Sequence, residues 1–153
     1  MTIVDGRESK AARNGRLAHL NVLIAADRFR DELEAKCKTE GVTLAQYAVL
    51  WTLCLTDAPD GLPTGALADG LVTRQPDITR LVDKLVQAGF VTRTAAEHDR
   101  RDVMVAATDA GRAVFDRLSP QFIAFHEQQW SNLSAAELRQ FSDLLAKALW
   151  GNA

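Results

Sequence analysis

Arginine and glutamine side chains in residues 73–84 have the chemistry to read the edges of DNA bases. Arg74, Gln75 and Arg80 fall within two helical turns. Arginine can donate two hydrogen bonds to guanine, and glutamine can pair with adenine in the same two-point manner. The predicted contact residues of this segment are Thr73, Arg74, Gln75, Pro76, Thr79, Arg80 and Lys84. The alternative is a solvated helix face on which Asp77 and Arg80 form an ion pair.

A second charged segment, residues 97–102, contains Asp99, Arg100 and Arg101. Arginine at the tip of a β-ribbon fits a narrow minor groove, where the potential is most negative. Asp99 lies two residues before Arg101 and can fix the direction of its guanidinium group. The alternative is a solvated turn, because the carboxylates of this segment weaken its positive field.

The composition requires that any DNA binding come from local placement of charge. The chain has 153 residues, 47% hydrophobic and 25% charged, which is typical of one globular domain. Its formal net charge of −2 excludes a globally basic nucleic-acid binder. No stretch approaches the length of a membrane-spanning helix, and the polar N-terminus has no signal-peptide core. We therefore expect a cytoplasmic protein.

The elements that position these segments begin with helices. Apolar spacing predicts a first helix over about residues 17–38, stopped by Gly41. Thr43 and Gln46 have the spacing of a capping box, so a second helix begins there, and its nearly continuous apolar surface predicts burial. Two shorter helices follow, with Thr64 and Thr73 as the predicted N-caps.

After these helices, the periodicity of the sequence changes from that of helices to that of strands. Residues 90–94 and 103–107 are short and β-prone, with a charged loop between them. Thr108 can cap a following helix, in which Pro120 is expected to cause a kink or a split. Ser134 and Glu137 form a second capping box, which begins the last helix.

This order predicts a mainly α fold with a small β-ribbon, a winged helix-turn-helix over about residues 43–107. Dimerisation helices are expected at about 17–38 and 108–150, so residues 17–153 form one unit after a mobile lead-in of residues 1–16. The terminal helices carry a large apolar load: Phe122, Ile123, Phe125, Leu144, Leu145, Leu149 and Trp150. These residues either complete one core or pair two copies of the chain, which would place two recognition helices on successive major-groove faces.

Residues from about Leu17 to Leu149 resemble the MarR family of bacterial winged-helix regulators. The motifs are the runs at residues 77–85, 89–91, 99–103 and 108–111. The resemblance implies homodimers that bind double-stranded operator DNA, with Arg101 in the minor groove and Asp99 orienting it. Two departures are Ala107, where the family usually has leucine, and Pro76, which is uncommon in its recognition helix.

The resemblance also implies that a small aromatic or anionic effector releases the DNA. Candidate pocket residues are His19, Leu23, Trp51 and Arg93. Each has an ordinary alternative: Trp51 as a core residue, His19 as a polar helix residue, and Arg93 as a phosphate contact.

Other chemistry has little support in the sequence. The cysteines and histidines have no metal-ligand spacing, and phosphate-binding or nucleophile motifs are absent, so we predict no cofactor, no metal and no enzyme activity. Cys54 is expected to be buried, whereas Cys37, beside Lys36 and Lys38, has the more activating setting for a redox role. We expect a transcriptional repressor, with an activator, a protein-interaction module without DNA function, and a small-molecule-binding protein or enzyme as alternatives.

Overall fold

Six helices and three strands make up the part of the chain that the structure, a computed structural model, describes: residues 9–56, 58, 60–70, 77–95 and 103–151. The elements are α1 (Lys10–Thr39), α2 (Leu44–Leu55), β1 (Leu62–Pro63), α3 (Thr64–Gly70), α4 (Ile78–Gln87), β2 (Val91–Ala95), β3 (Val103–Ala107), α5 (Asp109–Gln129) and α6 (Ala135–Trp150). This confirms the predicted mainly α fold with a β-ribbon. None of these helices is both long enough and apolar enough to cross a membrane.

Helix α1 begins seven residues before the predicted start. Ser9 is its N-cap, and the Ser9 hydroxyl accepts a hydrogen bond from the backbone N–H of Ala12 at 3.1 Å. Residues 10–16, predicted to belong to the lead-in, are therefore helical. The reason is local: Ser9 satisfies an N–H at the helix end, and a single Gly15 within a helix costs only about 1 kcal/mol.

Helix α2 starts as predicted. Thr43 and Gln46 form the capping box, and the Glu34 carboxylate of α1 accepts a further bond from the backbone N–H of Leu44 at 2.8 Å. The expectation that α2 is buried all round is wrong, since Trp51 and Leu55 are exposed. One side of α2 packs on the core, and the other reaches the surface.

The two short helices begin differently from the prediction. The Thr64 hydroxyl donates to the carbonyl oxygen of Val103 at 3.2 Å, so it ties α3 to β3 and does not cap the helix. Helix α4 begins at Ile78 with Asp77 as N-cap, whereas the predicted cap, Thr73, lies outside the described residues. The Asp77 carboxylate accepts from the backbone N–H of Arg80, which satisfies a donor at the start of the helix.

The three strands form an antiparallel sheet in the order β1-β3-β2. The predicted ribbon is confirmed, with Val91 opposite Ala107 and Ala95 opposite Val103. Strand β1 was not predicted, because two residues carry no alternation. Proline at position 63 fits an edge strand, which does not need every N–H for the ladder.

The C-terminal helices begin at the predicted caps. Helix α5 starts after the Thr108 cap and continues through Pro120, so of the two expected outcomes, a kink or a split, the split does not occur. Pro120 is exposed, so water can solvate a carbonyl group that loses its helical partner. The capping box of Ser134 and Glu137 begins α6 as predicted.

A single apolar core joins α2, α3, α4, α5 and the sheet. Its fully buried side chains include Tyr47, Val49, Leu50, Leu67, Val82, Leu85, Val105, Val114 and Leu118. Phe122 and Phe125, two members of the apolar load predicted on the terminal helices, are also buried. Helix α4 is therefore fixed to the body of the protein through Val82 and Leu85.

An exposed apolar surface remains on the terminal helices, and we call it the outer apolar face. It consists of Leu17, Leu20, Leu23 and Ile24 of α1, Ile123 of α5, and Phe141, Leu144, Leu149 and Trp150 of α6. Helix α6 has no buried residue at all. Because these side chains are exposed in the single chain, they do not complete its core.

Candidate nucleic-acid interface

Helix α4 is amphipathic, and its two sides have different roles. Val82 and Leu85 are fully buried, whereas Thr79, Arg80 and Lys84 are exposed on the opposite side. The Asp77 carboxylate accepts a hydrogen bond from the backbone N–H of Arg80 at 3.0 Å, which fixes the first turn. The acidic group thus caps the helix, and among the described residues the Arg80 guanidinium forms no salt bridge.

Seven of the predicted DNA-contact residues lie outside the described part of the chain. They are Thr73, Arg74, Gln75 and Pro76, and the three of the ribbon tip, Asp99, Arg100 and Arg101. Their roles stay predictions. The ribbon ends that flank the tip are paired, since Ala95 and Val103 lie opposite each other.

Arg93 of β2 contacts α4 directly. Its guanidinium forms a salt bridge with the Asp83 carboxylate and donates a second bond to the carbonyl oxygen of Thr79 at 3.1 Å. The sequence predicted Arg93 as an effector-pocket residue or a phosphate contact, and it gave no role to Asp83. Spacing within one element could not have paired them, because Asp83 lies on α4 and Arg93 on β2.

The other candidate pocket residues lie on two helices. His19 and Leu23 are exposed on the N-terminal half of α1. Trp51 of α2 is 38% exposed and lies edge-on to the rings of Tyr47 and Phe115, so it borders the core without belonging to it. Among the described residues, no hydrogen bond or ring contact joins any two of the four pocket candidates. A shared pocket stays a prediction.

The two thiols are placed opposite to expectation. Cys37 is fully buried, while Cys54 is half-buried. Burial, with a smaller contribution from the Glu34 carboxylate, raises the pKa of the Cys37 thiol to about 12. The activating setting predicted from Lys36 and Lys38 is wrong, because the Cys37 side chain faces the core and the lysines do not. Across the described residues, no cluster of three or more His, Cys, Asp or Glu could hold a metal.

Comparisons with known proteins agree with this geometry. A sequence model of the MarR family matches residues 40–102. The multiple antibiotic resistance protein MarR of Escherichia coli strain K12 is 30% identical over 141 residues, which cover 88% of this chain and 90% of that protein.

Two solved structures show the same likeness. A MarR transcription factor from Planctomyces limnophilus is 34% identical, with a TM-score of 0.66 over 85% of this chain and 93% of that one. A mutant MarR from E. coli, complexed with operator DNA, is 26% identical, with a TM-score of 0.73 over 88% and 92%.

Proposed function

Because the chain belongs to the MarR family of transcriptional regulators, we propose that it is a homodimeric repressor that binds operator DNA and is released by a small-molecule effector. The observation that carries this proposal is the exposed side of α4, on which Thr79 and Arg80 face solvent while Val82 and Leu85 fix the helix to the core. A recognition helix needs that combination of free polar side chains and a rigid support.

The fixed position of α4 suits it to the major groove. Arg80 has the donors to bind guanine, and the Thr79 hydroxyl and Lys84 ammonium can bind phosphate. The residues just before α4 add Arg74 and Gln75 to the proposed base contacts, with Pro76 as an apolar contact for a thymine methyl. Asp99 and Arg101 at the ribbon tip would act in the minor groove.

The outer apolar face supports the homodimer. Many large exposed apolar side chains on the terminal helices indicate an interaction site, and α6 has no buried residue in the single chain. A two-fold pair would bury the face and would double the phosphate contacts, which a chain of net charge −2 needs for DNA affinity.

The effector is proposed to bind between the dimerisation helices and the winged domain. His19 and Leu23 of α1 and Trp51 of α2 would supply an imidazole, an aliphatic side chain and an indole for an aromatic or anionic molecule. A coupling free energy of about 1–3 kcal/mol between this site and DNA would be enough for regulation. The regulator would act in the cytoplasm without catalysing a reaction.

Substitution of the two central arginines tests this function. In a titration of labelled duplex from the chain's own upstream region, Arg80→Ala is expected to weaken binding by about 1–3 kcal/mol and to relax sequence preference. Arg101→Ala is expected to abolish specific binding, because it removes the proposed minor-groove contact.

The matched control is Arg139→Ala, which removes an exposed arginine of α6 and is expected to bind as wild type does. Each titration is run at two salt concentrations and repeated with an unrelated duplex of equal length. Wild-type affinity in both Arg80→Ala and Arg101→Ala would refute the mechanism, and protein that binds no DNA at low salt would favour an interaction module.

A further inference from the structure

We propose that Arg93 is a positioning residue for DNA binding, because its guanidinium joins strand β2 to helix α4 at the Asp83 carboxylate and the Thr79 carbonyl oxygen. This inference rests on the proposed function, since it concerns how the two DNA-contacting elements are held. It assigns Arg93 a role inside the winged domain that differs from effector or phosphate binding.

The geometry of the contact requires arginine. One guanidinium nitrogen of Arg93 pairs with Asp83, and the other terminal nitrogen reaches the carbonyl oxygen of Thr79 at 3.1 Å. Two bonds in one plane use the rigid fork of the guanidinium, which a lysine ammonium cannot reproduce. The Arg93 side chain is 30% exposed, and two of its five N–H donors are used in these bonds.

The two acceptors lie four residues apart on α4, and therefore one above the other on the same side of the helix. Arg80, the proposed base contact, directly follows Thr79 in the first turn. Rotation or sliding of α4 against β2 would break both bonds. The two bonds of Arg93 therefore restrain the orientation of α4 and with it the direction in which the Arg80 side chain projects from the domain.

The same contact reaches the ribbon. Strand β2 ends at Ala95, two residues after Arg93, and the chain then enters the segment that contains Asp99 and Arg101. Holding β2 against α4 therefore sets the spacing between the recognition helix and the base of the ribbon, at Ala95. A regulator that engages two grooves at once needs that spacing fixed before it meets DNA.

Because Asp83 is negatively charged, the direction in which its substitution changes DNA affinity tests the proposal. Asp83 is a carboxylate on the proposed recognition helix, and its side chain is 47% exposed. If only charge mattered, Asp83→Asn would remove a repulsion and tighten DNA binding. If Asp83 holds Arg93 in place, the same substitution weakens binding.

The experiment is a double-mutant cycle on the upstream duplex with full-length Asp83→Asn, Arg93→Gln and the double variant. We expect each single variant to bind about tenfold more weakly, and the double variant no more weakly than either, because both remove one contact. Arg93→Lys, which keeps the net charge, should not recover wild-type affinity. The salt dependence of binding by Arg93→Gln should keep the wild-type slope.

Several results would overturn the assignment while leaving the proposed function standing. Three of them are tighter DNA binding by Asp83→Asn, wild-type affinity in Arg93→Lys, and a double variant whose loss of affinity is the product of the two single losses. The fourth is a salt dependence of Arg93→Gln binding whose slope is lower by about one, because that change marks a direct phosphate contact. Failure of the wild-type protein itself to prefer its upstream duplex would instead refute the proposed function. Circular dichroism at the assay temperature confirms that each variant is folded.

Discussion

Glutamate in place of Leu144 is expected to separate the homodimer and with it to abolish specific DNA binding. Leu144 is 58% exposed on α6 and belongs to the outer apolar face. In a two-fold interface the substitution occurs twice, so two leucine burials of about 2 kcal/mol each are lost, and two carboxylates meet the interface. The dimer should dissociate about 1,000-fold more readily. Sedimentation velocity over a range of protein concentrations measures this directly.

The matched control is Ala136→Glu, which adds the same charge to an exposed position of α6 that is not three or four residues from any member of the outer apolar face. We expect this variant to remain dimeric and to bind DNA like the wild type. Because α6 contributes no buried residue to the single chain, Leu144→Glu should keep its helical circular dichroism signal. A Leu144→Glu protein that stays dimeric at the wild-type concentration would show that α6 does not lie in the interface.

Alanine in place of Gly111 is expected to lower the free energy of unfolding by about 3 kcal/mol, the upper end of the usual overpacking cost. A Cβ atom at this position would lie 2.1 Å from the carbonyl oxygen of Phe90 and 3.2 Å from Leu50 Cδ2. The Phe90 carbonyl accepts a bond from the backbone N–H of Thr108, so it cannot move away without breaking the start of α5. Urea unfolding at fixed protein concentration gives the difference.

The control for Gly111→Ala is Gly15→Ala. Gly15 lies within α1, and no atom stands within 4 Å of the added Cβ. This change should stabilise the protein by about 0.5–1 kcal/mol, because alanine loses less conformational entropy in a helix than glycine. Opposite signs for the two alanines would confirm the close approach, while equal unfolding midpoints for Gly111→Ala and the wild type would contradict it.

Features set by neighbours in sequence were predicted correctly. Both capping boxes, at Thr43 and Ser134, depend on residues three positions apart, and each formed as expected. The Thr108 cap also formed, with a second bond from its hydroxyl to the carbonyl oxygen of Gly89 at 2.7 Å. That bond and the close approach at Gly111 explain why threonine and glycine stand at this spacing.

Features set by distant partners were missed or misplaced. Strand β1 exists because Leu62 pairs with Val105, 43 positions along the chain from it, and no local alternation announces it. Thr64 carries a capping residue type, yet its hydroxyl bonds to Val103 of β3. Cys37 was assigned an active setting from its lysine neighbours in sequence, but the direction of its side chain into the core decides its chemistry.

The same difference between local and distant partners holds for the candidate site. Thr79, Arg80 and Lys84 were identified as an exposed set from helical spacing alone, and all three are exposed on α4. The partner of Arg93 could not be read from spacing within one element, because the salt bridge to Asp83 joins a helix to a strand. Pairing across elements requires the fold, which local patterns do not contain.

The stoichiometry of the DNA complex tests the central claim most directly. Sedimentation equilibrium of the full chain with a short duplex from its own upstream region, with and without excess unrelated DNA, gives both the number of chains bound and their preference. We predict two chains per duplex and a complex that survives the competitor. A complex with one chain per duplex would contradict a two-fold regulator that reads sequence through α4 and the ribbon. So would a complex that unrelated DNA of the same length displaces as readily as the upstream duplex does.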